Sequence, residues 1–215
     1  MSEVALVVIA KSPAPGRSKT RLCPPCSPEQ AAILAEAALR DTLAAVAAAP
    51  ARRRVLALDG EPGPWLPYGF EVVAQRGDGL GERLGHALDD AGGPGLVVGM
   101  DTPQLSPALL AHAARALHRP GIEAVLGPAL DGGYWTIGLR DPNSAVFEGV
   151  PMSSDRTCAA QRQRLAALGL PVSTLPWLRD VDTIGDAHAV ARECPQSAFA
   201  AALAVQPRPA ELSPV

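Results

Sequence analysis

The stretch Leu96-Val97-Val98-Gly99-Met100-Asp101-Thr102-Pro103 decides how this chain is read. A short apolar run closed by Asp-Thr-Pro has the character of a buried parallel strand that stops where Pro103 removes a backbone donor. Asp101 then stands at the strand's carboxyl end. In an open α/β sheet, ligands collect in the crevice outside those ends, so a carboxylate placed there, two residues after Gly99, is a candidate metal ligand. The alternative is that Asp101 caps a helix starting near Ser106 or Pro107.

On either side of this strand the chain alternates apolar runs with helical stretches. Residues 4–10, 53–58, 70–74, 123–127, 134–139 and 171–175 read as further strands. Residues 28–49 read as a helix that Ser27 caps and Pro28 opens. Further helices are expected over 106–118, 184–193 and 196–205, up to about Ala91 after the glycine-dense segment 75–84, and from 152–157 to about Leu168 with Ser154 or Asp155 as cap. Residues 128–133 leave no room for a crossover helix, so the strand at 134–139 is expected to run antiparallel or splay away, which makes the sheet mixed.

At 215 residues the chain is long enough for one sizeable core and marginal for two, so residues 1–205 are expected to form a single domain, with 206–215 a proline-rich disordered tail. A net charge of −3 offers no attraction for nucleic acid, and any anion must be held by local cations. The first apolar run lacks the basic lead-in of a secretory signal, and no stretch approaches about 18 uninterrupted apolar residues, so no membrane partner and a cytoplasmic location are expected. The four cysteines are too few for a disulfide framework, and Cys23-Pro24-Pro25-Cys26 lacks two further ligands at zinc spacing, so they are read as incidental loop cysteines.

Directly after the first strand comes Lys11-Ser12-Pro13-Ala14-Pro15-Gly16-Arg17-Ser18-Lys19-Thr20-Arg21-Leu22, a loop with four cations. A solvated charge run would look the same, but the first strand–helix loop of an α/β sheet is where phosphates are commonly cradled. It is neither a Walker loop nor a Rossmann fingerprint, so side-chain cations would carry more of the binding. Asp180-Val181-Asp182, if extended, projects two carboxylates to one side. Capping by Asp182 or Thr183 is the alternative. With Asp101 these carboxylates supply enough oxygen ligands for Mg²⁺ or Mn²⁺ that also holds phosphate.

Lys11 with Lys19-Thr20-Arg21-Leu22, Gly99-x-Asp101-x-Pro103, Gly127-Pro128 with Asp131-Gly132-Gly133-Tyr134, Ser154-Asp155-Arg156-Thr157 and Asp180-Val181-Asp182-Thr183 together resemble one family. It is the set of small bacterial transferases associated with radical-SAM and selenoprotein genes, within the glycosyltransferase-A-like, nucleotide-diphospho-sugar transferase superfamily. The likeness runs from about Val4 to Ala191, and a more distant one is to 2-phospho-L-lactate guanylyltransferase. The resemblance implies a three-layer α/β/α sandwich with a mostly parallel mixed sheet, binding a nucleoside triphosphate or nucleotide-sugar with a divalent metal. The Gly-x-Gly-x-Thr/Ser-x-Arg loop of sugar nucleotidyltransferases is absent, so backbone phosphate contacts there do not carry over. A single Asp101, where many glycosyltransferases have Asp-x-Asp, favours nucleotidyl over glycosyl transfer.

The expected reaction is therefore metal-dependent transfer of a nucleotidyl group to a small phosphate-, phosphonate- or carboxylate-bearing acceptor, with release of pyrophosphate. A glycosyltransferase and a non-catalytic nucleotide-binding module are the alternatives. Asp101, Asp180 and Asp182 would hold the metal, and Lys11, Arg17, Lys19 and Arg21 the triphosphate, with Lys19, Arg21 and Asp101 catalytic. By the resemblance, Gln75, Gly77, Leu80 and Gly81 would face the base; Asp131, Gly132, Gly133, Ser154 and Arg156 are expected on the acceptor side, with a mere tight turn at 131–133 and a helix-face charge at Arg156 as the alternatives. Nothing in the sequence specifies the oligomeric state.

Overall fold

The computed structural model describes residues 3–206, so the expected tail lies outside the described residues apart from Gln206. One seven-stranded sheet runs in the order β3-β2-β1-β4-β6-β5-β7. Its strands are β1 (Ala5–Lys11), β2 (Arg54–Asp59), β3 (Glu71–Ala74), β4 (Gly95–Val98), β5 (Ala124–Pro128), β6 (Tyr134–Leu139) and β7 (Val172–Thr174). β6 is antiparallel to both of its neighbours, β4 and β5, while every other pairing is parallel. The sheet is mixed because the short turn after β5 can only fold the next strand back, and that strand slots in beside β4.

Alternation along the strands divides the core between two faces. Leu6, Val8, Leu56, Leu96 and Val98 meet Leu39, Leu43 and Val46 of α1 (Pro28–Ala48) and Leu110 and Leu117 of α3 (Pro107–Leu117). Ala5, Val7, Val55, Val97 and Ile137 point the other way, toward Leu84 and Leu88 of α2 (Leu80–Ala91) and Leu165 of α4 (Thr157–Ala167). These two faces with their helices give the expected α/β/α sandwich. Helix α1 also buries its far side, where Leu34 and Ala38 join Val190 and Phe199 of α5 (Ile184–Glu193) and α6 (Ala198–Ala204) in a third cluster. Contact on two sides explains why α1 is so rich in alanine. Asp41 of α1 accepts hydrogen bonds from the Ala198 and Phe199 N–H groups at the start of α6 (2.9 and 2.8 Å).

Two expectations about element ends are corrected. β4 ends at Val98, not at Pro103: the Gly99 N–H still reaches the Trp135 carbonyl (3.2 Å), but the chain then turns away while β1 and β6 run on. Neither Ser154 nor Asp155 caps α4; the cap position is Arg156, with no side-chain cap bond, and the Ser154 oxygen is drawn to the Arg156 N–H instead (3.2 Å). All four cysteines are free, and Cys23, Cys26 and Cys194 pack into the third cluster. No described helix is long and apolar enough to cross a membrane.

The insertion of β6 depends on Gly138, where a Cβ would lie 2.2 Å from Leu96 Cδ2 and 2.8 Å from Val125 Cγ2 on the flanking strands. Gly138→Ala is therefore expected to cost about 1–3 kcal/mol through overpacking. Urea denaturation checks this: the midpoint should fall with the slope unchanged.

Candidate active site

β1 delivers the basic turn to the carboxyl edge of the sheet. Ser18 Oγ accepts the Ala14 N–H (3.1 Å) and closes the turn, and buried Leu22 anchors its end in the third cluster. A short 3-10 turn, Thr20–Leu22, brings Arg21 out to solvent. Opposite, the Val181 N–H donates to the Asp101 carbonyl (3.0 Å), laying residues 180–182 beside the chain that leaves β4. Val181 is buried between Asp180 and Asp182, which both line the cavity.

One ammonium joins these segments. Lys19 Nζ lies 2.7 Å from Asp101 Oδ2 and 3.4 Å from Asp182 Oδ1, and Arg21 Nη1 lies 3.0 Å from Asp182 Oδ2. The Lys19 side chain is only 11% exposed. Burial alone would lower its pKa, but the Asp101 carboxylate, by charge and hydrogen bond, together with Asp182 and Asp180, holds it above the usual lysine value. Asp180 is the counterpart. Burial, then the charges of Asp101 and Asp131, push its carboxyl up to about 8 against the pull of Lys19, and its Oδ1 is buried with no hydrogen-bond partner among the described residues.

The capping alternatives are answered by neighbouring residues. Ser106 caps α3 through the Leu109 N–H (3.2 Å), and Thr183 caps α5 in a reciprocal box with Asp186. Asp101 and Asp182 are left facing the basic turn. Among the described residues no group of three His, Cys, Asp or Glu side chains is assembled as a metal cage. The two described non-glycine residues with positive φ, Lys19 (48°) and Ser153 (56°), both line the same cavity. Such backbone costs about 1–2 kcal/mol per residue and concentrates at functional sites.

The cavity has a volume of about 850 Å³ and opens over the carboxyl ends of β1 and β4. Lys11, Arg17, Lys19 and Arg21 line it, as do Asp101, Asp180 and Asp182. Of the segment expected to face a base, Gln75 and Leu80 line it, although both amide hydrogens of Gln75 are engaged by the carbonyls of Ala10 and Ala57 (2.7 and 3.0 Å). Gly77 and Gly81 are not among the lining residues. Gly77 (φ +110°) makes the turn over Glu82, and at Gly81 a Cβ would lie 3.3 Å from both Met152 Cε and Phe147 Cβ. On the expected acceptor side Asp131, Gly133 and Ser154 line the cavity. Gly132 instead packs its α-carbon against the Asp155 backbone, and Arg156 stays exposed outside the lining.

Residues that sequence reasoning left out also line it. Arg83, near Asp59 (3.4 Å) and Gln75, adds a fifth cation, and Tyr134, Met152, Ser153 and Asp155 complete the far wall. The two unlike faces of 134–139 were a usable signal for Tyr134. Arg83 carries no motif, and only the packing of α2 against β1 and β4 brings it to the site.

The fold and this site place the chain among known proteins. A crystal structure from Desulfovibrio desulfuricans G20, provisionally described as a nucleotide-diphospho-sugar transferase, matches with a TM-score of 0.85 at 29% identity, covering 95% of each chain. The fold also matches CMP:2-keto-3-deoxy-manno-octonic acid synthetase in complex with CTP (TM-score 0.57, 13% identity, 91% of this chain and 99% of that one). A third match is 2-C-methyl-D-erythritol 4-phosphate cytidylyltransferase from Thermus thermophilus (TM-score 0.50, 21% identity, 94% and 98%). No curated protein matches the sequence. The architecture is thus that of the nucleotide-diphospho-sugar transferases, a fold shared with nucleotidyltransferases. Within it, with a family match over residues 33–154, the chain belongs to the bacterial family described as "Uncharacterized protein conserved in bacteria (DUF2064)".

Proposed function

We propose that this protein is a metal-dependent nucleotidyltransferase that moves a nucleotidyl group from a nucleoside triphosphate to a small acceptor. The observation that carries the reading is Lys19, whose ammonium lies 2.7 Å from Asp101 and 3.4 Å from Asp182, so that the basic turn and the acidic strand ends face each other across one cavity. Lys11, Arg17, Lys19 and Arg21 bind the triphosphate, Arg as a planar fork and Lys as a point charge. Gln75 and Leu80 border the base, with Arg83 beside them.

A divalent cation fits this donor set. Asp101, Asp180 and Asp182 would hold Mg²⁺ or Mn²⁺, and the buried, unpartnered Oδ1 of Asp180 is a ligand atom in want of a cation. Bound there, the metal supplies charge neutralisation and polarisation of the phosphoryl oxygens. The protein's own part is positioning and electrostatics. Lys19 and Arg21 meet the charge that develops as an acceptor oxygen bonds to the α-phosphorus and pyrophosphate leaves with the electron pair. One domain spanning residues 1–205 carries the whole site, and dependence on a nucleoside triphosphate pool suits a cytoplasmic location.

A second reading, glycosyl transfer from a nucleotide-sugar, is favoured by the provisional description of the Desulfovibrio desulfuricans protein. Titrating each nucleoside triphosphate with Mg²⁺ by calorimetry, and assaying pyrophosphate release, decides between them. The proposal expects metal-dependent triphosphate binding and pyrophosphate release, both abolished by EDTA; nucleoside diphosphate release from a nucleotide-sugar, without pyrophosphate from any triphosphate, would overturn it. Lys19→Met should lower turnover by about 10²–10³-fold.

Asp180 generates a pH prediction. Unfolded, its carboxyl ionises near 3.9, whereas the folded carboxyl keeps its proton until about 8. The folded state therefore binds the extra proton in this window, and the stability this gives is lost as pH rises from about 4 to 8. In metal-free buffer Asp180→Asn should match the wild type near pH 4 and melt at a higher temperature than wild type at pH 9, while its pyrophosphate release falls. Equal melting temperatures at pH 9 would refute the assignment.

A further inference from the structure

The far wall of the cavity has the wrong charge for an anion. Every lysine or arginine that lines the cavity stands on β1, the turn after it, or α2. The opposite wall, formed after β5 and ahead of α4, offers Asp131, Asp155, Ser153, Ser154, Thr157 and Tyr134, without a cation. Asp131 follows β5, three strands from β1, which is about 14 Å along the sheet at its strand spacing, although its charge still reaches Asp180. Arg156, the cation the sequence offered for this wall, stands outside the lining.

Backbone donors do not make up for it. An anion at a helix start needs free N–H groups, but most of those around the start of α4 are spent inside the protein. Arg156 N–H donates to Ser154 Oγ (3.2 Å), Thr157 N–H to the Ser154 carbonyl (3.0 Å) and Cys158 N–H to the Gly132 carbonyl (2.9 Å). Ser154 N–H is taken by Thr157 Oγ1 (3.0 Å), and Gly133 N–H by Asp131 Oδ1 (2.8 Å). What this wall presents to the cavity is oxygen: the carboxylates of Asp131 and Asp155, which only accept hydrogen bonds, with the hydroxyls of Ser153 and Ser154, while those of Thr157 and Tyr134 are bonded within the protein.

From this we infer that the acceptor is a small polyhydroxy or amino-alcohol compound without an anionic group, and not the phosphate, phosphonate or carboxylate compound that the sequence suggested. The inference rests on the nucleotide occupying the basic side, as proposed above. A hydroxyl oxygen of the acceptor then bonds to the α-phosphorus, the bond from that phosphorus to the departing pyrophosphate breaks, and pyrophosphate keeps the electron pair. The hydroxyl proton passes to a carboxylate of this wall. An anionic acceptor would instead meet Asp131 and Asp155 with no cation to offset them.

Ligand-observed NMR on the full-length protein tests this, with Mg²⁺ and the nucleoside triphosphate that binds tightest. The matched probes are glucose and glucosamine against glucose 6-phosphate and glucuronate. Glucose or glucosamine should bind at least about tenfold tighter than both anions, and Asp155→Lys should narrow or reverse that ratio. Anions binding as well as or better than the other two, or no binding of glucose and glucosamine, would overturn the inference. The nucleotide titration is read separately: its failure sinks the proposed function, whereas intact Mg²⁺-dependent nucleotide binding with anion preference sinks only the acceptor class.

Discussion

The Lys19 ammonium, shared between Asp101 and Asp182, is the interaction on which the candidate site depends. It draws together three segments far apart in sequence: the turn after β1, the chain leaving β4, and the approach to α5. Burial alone would lower the Lys19 pKa, and without Lys19 the Asp101 carboxylate would lack its closest counter-charge. The Asp101 carboxylate therefore helps to keep the Lys19 ammonium charged. The mutual dependence also explains why so much charge of both signs can be concentrated over one end of a sheet.

The arrangement follows from topology. Parallel strands β1 and β4 lie side by side and present their carboxyl ends together, which is what the reading of Asp101 at a strand end anticipated. Antiparallel β6 then widens the distance from the basic turn to Asp131, so the cavity gains a second wall of different chemistry. The wall beside β1 carries cations, while the wall beside β5 and α4 carries carboxylates and hydroxyls. A cavity polarised in this way would sort ligands by charge before any specific contact is made.

The elements that could be read from sequence were those with strong period and punctuation: the alternating strands, the Ser27-Pro28 helix start and the tight turn before β6. The acidic and basic segments were legible because charges interrupting apolar runs at strand ends are conspicuous. What stayed hidden depended on partners distant in sequence. β4 leaves the sheet at Val98 while β1 and β6 continue, a departure that the local sequence around Pro103 does not mark. Gly77 and Gly81 turn out to serve a turn and a close packing contact, because a missing side chain has the same appearance whether it admits a ligand or a neighbouring Phe147. Arg156 was drawn toward the cavity by its place in a motif, yet its position at the start of α4 aims it elsewhere. Arg83, with no motif at all, arrives there.

The third cluster has a consequence for motion. Leu22, next to Arg21, and Val181, between Asp180 and Asp182, are both buried in it with α1, α5 and α6. The two charged arms of the site are thus nailed to one small body of core that is distinct from the sheet's own faces. Sub-global opening of that body, at a free energy below that of global unfolding, releases both arms at once while the β1–β4 platform persists. Amide exchange in the basic turn and in the acidic segment should therefore share a rate and respond alike to anything that loosens α6.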